Sequence, residues 1–282
     1  MLALEVNSKL DITAEEYELV RELVYERAGI NLGDNRQHLV QARIAKIIRK
    51  EKFSGFQEYF NFLKSDKSGR EIARLIDAIS TNTTYFFREA DHFDFLKESL
   101  ISRIEKSKHP EWTVRIWSAA SSSGEEPYTI AMIVHQLMKK YPRLSLKILA
   151  TDISTQVLEK AKAGIYSIER MRNVPEEYMK EYFRKVSGAK EITFEVSPEL
   201  KKLVTFAHFN LMMKQYPFKY GFDYVFCRNV MIYFDRKTQE DVVNKIARHI
   251  RPGGYLIVGH SESLNGLIHP LKYIKPTIYQ KG

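Results

Sequence analysis

The sequence predicts an α/β protein with a doubly wound sheet, preceded by an all-α N-terminal domain. Two apolar runs, residues 113–117 and 146–152, enclose a helical pattern in the order strand, loop, helix, strand. The loop at residues 118–128 is rich in small side chains, which let a ligand approach the backbone at the carboxyl end of the first strand. Before these elements, the first hundred residues show mainly helical spacing.

The composition is that of an ordinary soluble globular protein, and 282 residues with 44% hydrophobic content favour two domains. The single cysteine, Cys227, excludes an internal disulfide framework and is expected to be a buried small hydrophobe. The eight histidines show no metal-ligand spacing, so no metal is predicted. No apolar run is long enough to span a membrane and residues 1–9 lack a signal-peptide core, so a cytoplasmic protein is expected.

The charge balance favours an acidic partner. The formal net charge is +9 and the sequence pI is about 9.3, which steers acidic molecules towards the protein from a distance. Nucleic acid, an anionic membrane and an acidic protein surface all remain open at this point.

Four helices are predicted in residues 1–80. Thr13-x-x-Glu16 is a capping box for the first helix, and Gly29 ends it. The second helix runs from Asp34 to Lys50, Ser54-x-x-Gln57 opens the third, and residues 69–79 form the fourth. The residues expected to face inward on the second and fourth helices are Val40, Ile44, Ile47, Ile48, Ile72, Leu75, Ile76 and Ile79.

One face of the second helix is predicted to be cationic. At 100° per residue, Arg36, Arg43, Lys46, Arg49 and Lys50 share an arc beside the apolar stripe. A solvated helix face is the plain interpretation. Because the arc carries almost no acid at helical pairing distance, a binding surface for an acidic helix or a phosphate backbone is the sharper hypothesis.

A linker is predicted at residues 81–90, between the helical and sheet domains. The run from Ser80 to Arg88 is rich in β-branched and small polar residues, which favour neither a helix nor a core. Ligands commonly bind in clefts between domains, so its hydroxyls, amide and guanidinium are site candidates. Alternatively, the segment only connects the domains, with Phe86 and Phe87 as packing anchors.

The sheet domain is predicted to occupy residues 91–282. Asp152 ends the second strand, the position at which α/β folds bind a ribose. Further strands are predicted at residues 204–210, 222–227 and 255–259, with a turn at 252–254 and a terminal hairpin around Pro276. Helices are expected at 129–141, 154–163 and 238–250.

A small antiparallel β-subdomain is predicted as an insertion at residues 167–203. Residues 191–196 alternate like a half-exposed strand, and Ser187-Gly188 precedes them as a turn. Insertions on a regular fold serve as partner sites or as spacers and stabilising elements, and the pattern alone leaves both open.

Several motifs together resemble the CheR family of bacterial chemotaxis receptor methyltransferases. They are residues 82–88, 117–128, 150–152, 226–234, 253–256 and 259–263. The resemblance implies a SAM-dependent methyltransferase-type sheet, S-adenosylmethionine as methyl donor, S-adenosylhomocysteine as product and no metal. It also implies glutamates on the cytoplasmic methylation helices of chemoreceptors as acceptors, in sensory adaptation and signal transduction. The protein would then be cytoplasmic and recruited to membrane receptor arrays.

The same resemblance assigns roles to individual residues. Glu126 would lie near the amino group of the donor, Asp152 would bind its ribose, and Arg88 and Tyr233 would face the methyl-transfer site. The implied donor-binding residues are Asn82, Thr84, Arg88, Glu126, Asp152, Asn210, Leu211, Asn229 and Val230. The basic helix face would hold an acidic receptor helix. The insertion around Gly188 matches the β-subdomain of the family, which in some members binds a receptor C-terminal peptide and in others does not.

Two rival functions fit parts of the sequence. A nucleic-acid methyltransferase would share the sheet and explain the basic helix, but amino-methylating members carry an Asp/Asn-Pro-Pro-aromatic tip where this chain has Arg228-Asn229-Val230-Met231. A non-catalytic receptor-binding module would keep the fold without the chemistry. The intact set of candidate site residues argues against that second alternative.

Overall fold

A seven-stranded mixed sheet forms the centre of the C-terminal part of the chain. The computed structural model describes residues 11–66, 70–80, 82–107, 111–187 and 192–282. Within them the spatial order of the strands is β6-β2-β1-β7-β8-β10-β9. These strands are β1 (Trp112–Ser118), β2 (Leu144–Asp152), β6 (Val204–His208), β7 (Phe222–Phe226), β8 (Ile250–Ile257), β9 (Leu271–Lys275) and β10 (Ile278–Lys281).

The sheet is doubly wound, as predicted. Strands β6, β2, β1, β7 and β8 are parallel, whereas β10 pairs antiparallel with β8 and β9. Helix α6 (Glu125–Lys140) follows β1, α7 (Thr155–Ala163) follows β2, and α10 (Arg236–Arg248) joins β7 to β8. Because β2 and β7 flank β1, the order reverses at β1, which is where open α/β sheets bind ligands beyond the strand ends.

Helix α5 (Asp91–Lys106) was not assigned from the sequence, yet it contributes to the core of the sheet domain. Its buried residues Phe93, Leu96, Leu100 and Ile104 recur at three- and four-residue spacing and so lie on one helix face. They join a cluster that includes the fully buried β1 residues Val114 and Ile116. The charged residues Asp94, Lys97, Glu98 and Glu105 of this helix are exposed.

Two predicted boundaries are wrong. Helix α6 begins at Glu125 rather than at residue 129, so both glutamates of the small-residue loop lie in its first turn. Residues 252–254 lie inside β8 instead of forming a separate turn. The register between β7 and β8 is irregular beside Phe222 and Gly253 has a φ of 73°, so the strand absorbs the Pro-Gly-Gly run as a bulge.

The predicted inserted β-subdomain is a three-stranded antiparallel sheet in the order β3-β5-β4. Its strands are β3 (Ile165–Ser167), β4 (Phe183–Ser187) and β5 (Ile192–Val196), accompanied by α8 (Glu176–Tyr182) and α9 (Pro198–Leu203). Its inner face adds Tyr166, Tyr182 and Val196 to the core cluster. Gly188, the predicted turn residue, lies outside the described residues.

The chain divides into two compact units. The first contains the described residues before Thr81 together with Tyr233–Asp235, and the second contains Asn82–Ile232 and Arg236–Gly282. The helices of the first unit are α1 (Ala14–Ala28), a 3-10 turn (Asp34–Arg36), α2 (Gln37–Glu51), α3 (Phe56–Ser65) and α4 (Arg70–Ile79). Across the described ranges, no helix is both long and apolar enough to cross a membrane.

In the first unit the predicted start and stop of α1 are confirmed, whereas α2 begins at Gln37 after the 3-10 turn rather than at Asp34. Thr13 and Glu16 form the predicted capping box, and Gly29 ends α1 with a φ of 69°. The predicted pairing of Ser54 with Gln57 is wrong, because the Ser54 amide and hydroxyl both donate to the Glu58 carboxylate, at 2.6 and 2.7 Å. A carboxylate is the stronger acceptor and lies one residue further along the helix.

The inward-facing prediction is confirmed for most of the apolar residues of α2 and α4. On α2 the predicted positions Val40, Ile44, Ile47 and Ile48 are all buried. On α4 the described helix buries three of the four predicted residues, and Ile72 is only half-buried.

The basic face of α2 is only partly available to a partner. The Arg43 guanidinium donates to the backbone carbonyls of Ala78 at 3.2 Å and Ser80 at 2.8 Å, and also to that of Ile79. Arg36 lies with its guanidinium carbon 5.7 Å from the ring centroid of Tyr233. The expectation of five unpaired cations is therefore corrected, because Arg43 satisfies the last carbonyls of α4 and the exposed members are Lys46, Arg49 and Lys50.

We expect the Arg43→Met substitution to lower the free energy of unfolding by about 1–3 kcal/mol, because it removes charge-assisted hydrogen bonds but keeps an apolar stem. Denaturant unfolding measures the change, and hydrogen exchange at the end of α4 locates it. Arg49→Met, on the exposed part of the same helix, is the matched control and should change stability by less than about 0.5 kcal/mol. Equal losses in the two variants would contradict a capping role for Arg43.

Candidate functional site

The candidate site lies at the carboxyl ends of the parallel strands, where loops from separate parts of the chain are bonded to one another. Ser122, in the loop after β1, donates its amide to Asp152 at 2.8 Å and its hydroxyl to the Asn82 carbonyl at 3.0 Å. The Phe209 amide, after β6, donates to the Asp152 carbonyl at 3.0 Å. Three segments that are distant in sequence therefore meet at the end of β2.

Asp152 holds a fixed orientation at this edge. One carboxylate oxygen accepts the Ser122 amide at 2.8 Å, and the other accepts the Ser154 amide at 2.9 Å. The residue is only 7% exposed. Backbone amides stabilise a carboxylate and fix its plane, so the oxygens are set in advance for a ligand with hydroxyl donors.

Glu126 is held at the start of α6. One carboxylate oxygen accepts the Ser118 hydroxyl at 2.7 Å, and the other accepts Nη1 of Arg228 at 2.8 Å. The first turn of a helix favours a negative charge because the backbone amides there are not used within the helix. This carboxylate is thus an oriented anion, which suits a cationic ligand group.

Arg228 is a site residue that the sequence analysis did not identify. Its side chain is 2% exposed, and besides Glu126 it binds Glu89 at 3.0 Å and the backbone carbonyl of Arg88. Burial alone raises the pKa of Glu89, but the charge of Arg228 and hydrogen bonds from Asn229 and His260 hold it below the usual range. The sequence signal that could have identified Arg228 is its position as a cation directly after the apolar run 222–227.

The loop after β7 is fixed by a second overlooked residue, Glu262. Its carboxylate accepts the backbone amides of Asn229 at 2.8 Å, Met231 at 2.7 Å and Gly259 at 2.5 Å. Burial nevertheless raises the pKa of Glu262. A side chain at position 259 would place its Cβ 2.4 Å from Nδ2 of Asn229 and 2.9 Å from the Glu262 carboxylate, so these two side chains would have to shift.

The predicted residues Asn229 and Val230 lie within this loop. Asn229 has a φ of 58°, and its side-chain amide donates to Glu89 at 3.2 Å. Val230 is half-buried. The Asn229 side chain therefore ties the loop after β7 to the linker.

The linker is anchored by packing and by its main chain. Phe86 is fully buried, with its ring centroid 4.9 Å from that of Tyr166 and 5.5 Å from that of Phe183. Arg88 donates to the Thr83 carbonyl at 2.8 Å, and its guanidinium carbon lies 5.7 Å from the Tyr85 ring centroid. The packing interpretation of Phe86 is confirmed, and it places Arg88 two residues after the anchor.

A contact from the inserted β-subdomain reaches the linker. Nη1 of Arg170 donates to the Thr84 carbonyl at 3.0 Å and to the buried carboxylate of Glu125 at 2.8 Å. Burial raises the pKa of Glu125 despite the hydrogen bonds from Ser123 and Arg170. The backbone at Thr84 is therefore tied to the first turn of α6.

Asn210 and Leu211 form the turn after β6. The Asn210 side-chain oxygen accepts the Met212 amide at 2.8 Å, and the Leu211 carbonyl accepts the Tyr216 hydroxyl at 2.9 Å and Nζ of Lys245 at 3.0 Å. These bonds fix the turn at the same sheet edge as Asp152.

Tyr233 belongs to the first compact unit. Its carbonyl accepts the Asn31 amide at 2.7 Å, and its ring lies beneath Arg36. The pairing of Tyr233 with Arg88 in methyl transfer therefore stays a prediction.

Left-handed backbone is concentrated in the site loops. Of the six described residues other than glycine with positive φ, four lie here: Phe87 and Glu89 at 58°, Ser122 at 47° and Asn229 at 58°; the other two are Lys52 and Thr277. Such conformations cost about 1–3 kcal/mol each and are usually retained where surrounding contacts fix them for function. Here the fixing contacts are those from Asp152, Glu262 and Arg228.

Three potential metal ligands meet beside this site, although their sequence spacing does not suggest it. Ligand atoms of Glu89, His92 and His260 all lie within 4.8 Å of one another. The Glu89 carboxylate already binds the Arg228 guanidinium, and burial together with the charge of Arg228 lowers the pKa of His92 to about 4. Nε2 of His92 also contacts the Thr277 hydroxyl at 2.7 Å. The expectation that no metal binds stays a prediction.

The residues present fit S-adenosylmethionine, which carries an ammonium and vicinal ribose hydroxyls. Oriented carboxylates are available at Glu126 and Asp152. In the described part of the chain, the buried Ser121 hydroxyl of the loop after β1 has no hydrogen-bond partner. A buried hydroxyl without a partner is costly, so a ligand that bonds to it would relieve that cost.

Comparisons with known proteins identify the family of this chain. A family model described as CheR methyltransferase, all-alpha domain, matches residues 15–80, and one described as CheR methyltransferase, SAM binding domain, matches residues 82–280. The chain is 42% identical over 279 residues to a chemotaxis protein methyltransferase of Borreliella burgdorferi, covering 98% of this chain and 97% of that protein. Proteins of the same description from Salmonella typhimurium and Escherichia coli are each 36% identical, covering 98% and 99% of this chain and 93% and 94% of theirs. The chain therefore belongs to the CheR methyltransferase family and carries its SAM-binding domain.

Proposed function

We propose that this chain transfers the methyl group of S-adenosylmethionine to glutamate side chains on the cytoplasmic helices of chemoreceptors, forming glutamate methyl esters for sensory adaptation. The observation that carries the proposal is the pair of oriented carboxylates, Glu126 and Asp152, at the ends of a SAM-binding sheet. The relatives are described as chemotaxis protein methyltransferases, which supports the receptor as substrate.

In the proposed donor complex, Glu126 pairs with the ammonium of the methionine part and Asp152 accepts from the ribose hydroxyls. Six further residues, from the linker and the loops after β6 and β7, complete the proposed pocket: Asn82, Thr84, Asn210, Leu211, Asn229 and Val230. When bound, S-adenosylmethionine supplies an electrophilic methyl group on a positively charged sulfur. S-adenosylhomocysteine, the product, lacks this charge.

The proposed reaction needs no general base. The pKa of a glutamate side chain is about 4.3, so the acceptor is already a carboxylate at neutral pH. The protein has to align the carboxylate with the methyl group and to exclude water. Without water, neither the negative carboxylate nor the positive sulfur is stabilised by hydration, which favours the less charged transition state. Alignment alone accounts for about 7–11 kcal/mol in well-oriented reactions. Arg88 would orient the acceptor carboxylate, and Tyr233 would position it.

The exposed part of the basic face, Lys46, Arg49 and Lys50, is proposed to hold an acidic receptor helix. These side chains are exposed on α2, so opposite charges on a partner helix would meet them without a large desolvation cost. The inserted β-subdomain, with Gly188, is proposed as the site of a receptor C-terminal peptide. Such a protein would work in the cytoplasm, recruited to receptor arrays, with no metal and no nucleic acid bound.

The direct test incubates the purified protein with methyl-labelled donor and receptor cytoplasmic fragments. We expect label in base-labile methyl esters on glutamate. Label transferred to nucleic acid offered in the same mixture would support the nucleic-acid methyltransferase instead. Donor binding without transfer to any receptor fragment would favour a non-catalytic binding module.

We expect Asp152→Ala to weaken donor binding by about 10-fold or more, because a buried acceptor for hydroxyl donors is lost. Calorimetric titration with S-adenosylmethionine measures this effect. Glu159→Ala, at an exposed acid on α7, is the control and should leave the affinity unchanged. Similar donor affinities for the Asp152 variant and the wild type would contradict the proposed ribose contact.

Arg88→Ala should lose most of the methyl transfer while retaining part of the donor affinity, because Arg88 is proposed to act on the acceptor. The methyl assay gives the turnover, and calorimetry gives the donor affinity. Normal turnover in this variant would rule out the assigned role.

Charge reversal at Lys46 and Arg49 should raise the KM for receptor fragments by about tenfold at low salt, with the effect shrinking as salt is added. Donor affinity should not change. The control reverses two exposed lysines of the sheet domain, Lys147 and Lys272, and so alters the net charge equally. If both double variants raise KM alike, the effect comes from overall charge rather than from this helix face.

A further inference from the structure

The Arg228 side chain connects three parts of the candidate site. Nη1 binds the Glu126 carboxylate on α6 at 2.8 Å, while Nη2 binds the Glu89 carboxylate at 3.0 Å and the Arg88 carbonyl. Arg228 itself is the second residue after the end of β7. One guanidinium thus fixes the positions of the loop after β1, the linker and the tip of β7 relative to one another.

Because this cluster of charges is buried, its members have little freedom to move. The side chain of Arg228 is 2% exposed, that of Glu126 11% and that of Glu89 12%. The Arg228 guanidinium also lies with its central carbon 5.4 Å from the Phe93 ring centroid. Charges held this far from water are tolerated only when paired, so each carboxylate restrains the guanidinium and the guanidinium restrains both carboxylates.

The planar fork of Arg228 matters for this geometry. Its two terminal nitrogens point to different partners at once, Glu126 on one side and the linker on the other. A lysine ammonium in the same place is a point charge on a flexible stem and cannot hold both directions with the same rigidity. The arrangement therefore depends on the guanidinium and not on positive charge alone.

We propose that Arg228 is a positioning residue for methyl transfer, which orients Glu126 towards the donor through Nη1 and sets the main chain of Arg88 through Nη2. This inference rests on the proposed function, in which Glu126 binds the ammonium of the donor and Arg88 meets the acceptor. Arg228 itself does not touch the reacting groups. We therefore expect two separable effects of Arg228: the Nη1 contact affects donor affinity, and the Nη2 contacts affect turnover.

The test measures donor affinity by calorimetry and kcat by the methyl assay for Arg228→Lys, Glu126→Gln, Glu89→Gln and the double variant R228K/E126Q. Arg228→Lys should weaken donor binding by about tenfold and lower kcat. Glu126→Gln should affect mainly donor affinity, and Glu89→Gln mainly kcat. In the Glu126→Gln background, the effect of R228K on donor affinity should shrink below about threefold, because the two residues act in series.

Arg251→Lys is the matched control. Arg251 pairs with the buried carboxylate of Asp223 at 3.1 Å, near the start of β7 and so at the opposite end of the strand. The same guanidinium-to-ammonium change there should leave both constants within about twofold, since it alters packing without reaching the site. The unfolding midpoints of all variants show whether a loss of donor affinity or kcat occurs in a folded protein or results from unfolding.

The outcomes separate this inference from the proposed function. If Glu126→Gln binds the donor as tightly as the wild type, the proposed donor contact fails. If Glu126→Gln weakens binding but Arg228→Lys does not, or if their effects add fully, the positioning role of Arg228 is overturned alone. If Arg228→Lys does not fold, Glu89→Gln provides the test. An unchanged kcat in the Glu89 variant overturns the proposed effect of the Nη2 contacts on Arg88.

Discussion

The parallel register of the central strands is the constraint on which the site depends. Ser118 of β1 pairs with Ala150 of β2 and with Phe226 of β7, and Ala150 pairs in turn with Phe206 of β6. All four strands therefore end within two residues of one another, and the loops that follow them leave the same sheet edge. A shift of one residue in this register would turn the inward residues of a strand to its opposite face and move its loop away from the others.

Charged groups at this edge are held by the chain before any ligand binds. Asp152 accepts the amides of Ser122 and Ser154, Glu262 accepts those of Asn229, Met231 and Gly259, and Glu126 accepts a hydroxyl and a guanidinium. Buried carboxylates cost several kcal/mol unless bonded in this way. The same contacts maintain the left-handed backbone at Ser122 and Asn229. Orientation of the polar groups is thus established by folding, which is what a reaction limited by alignment requires.

Much of the fold could be predicted from the sequence because local patterns decide it. The capping box at Thr13, the strand pattern after Trp112 and the alternating run after Ile192 each depend on neighbouring residues. Two elements were not predicted from the sequence: the helix at residues 91–106 and the strand that continues through Pro252. The helix carries its own apolar spacing, so the local signal was present, whereas at Pro252 bulge geometry outweighed the local turn signal.

The site was predictable only as far as motif resemblance reached. Residues such as Asp152 and Asn229 were named, but the partners that orient them were not. Arg228 lies 102 positions from Glu126, and Glu262 lies 33 from Asn229, so no local spacing joins them. Arg43 shows the converse error: a cation assigned to a binding face satisfies carbonyls of another helix. Long-range hydrogen bonds of this kind become visible only once the chain is folded.

The central claim is that loops at one sheet edge form a single donor site. Hydrogen exchange with and without S-adenosylmethionine tests it directly, because a bound ligand slows exchange in the backbone that it contacts or orders. We expect protection in residues 118–126, 150–154, 209–212 and 228–231 together, at one donor concentration, with little change at the opposite ends of the strands. Protection in only one of these loops, or outside this edge, would contradict the account.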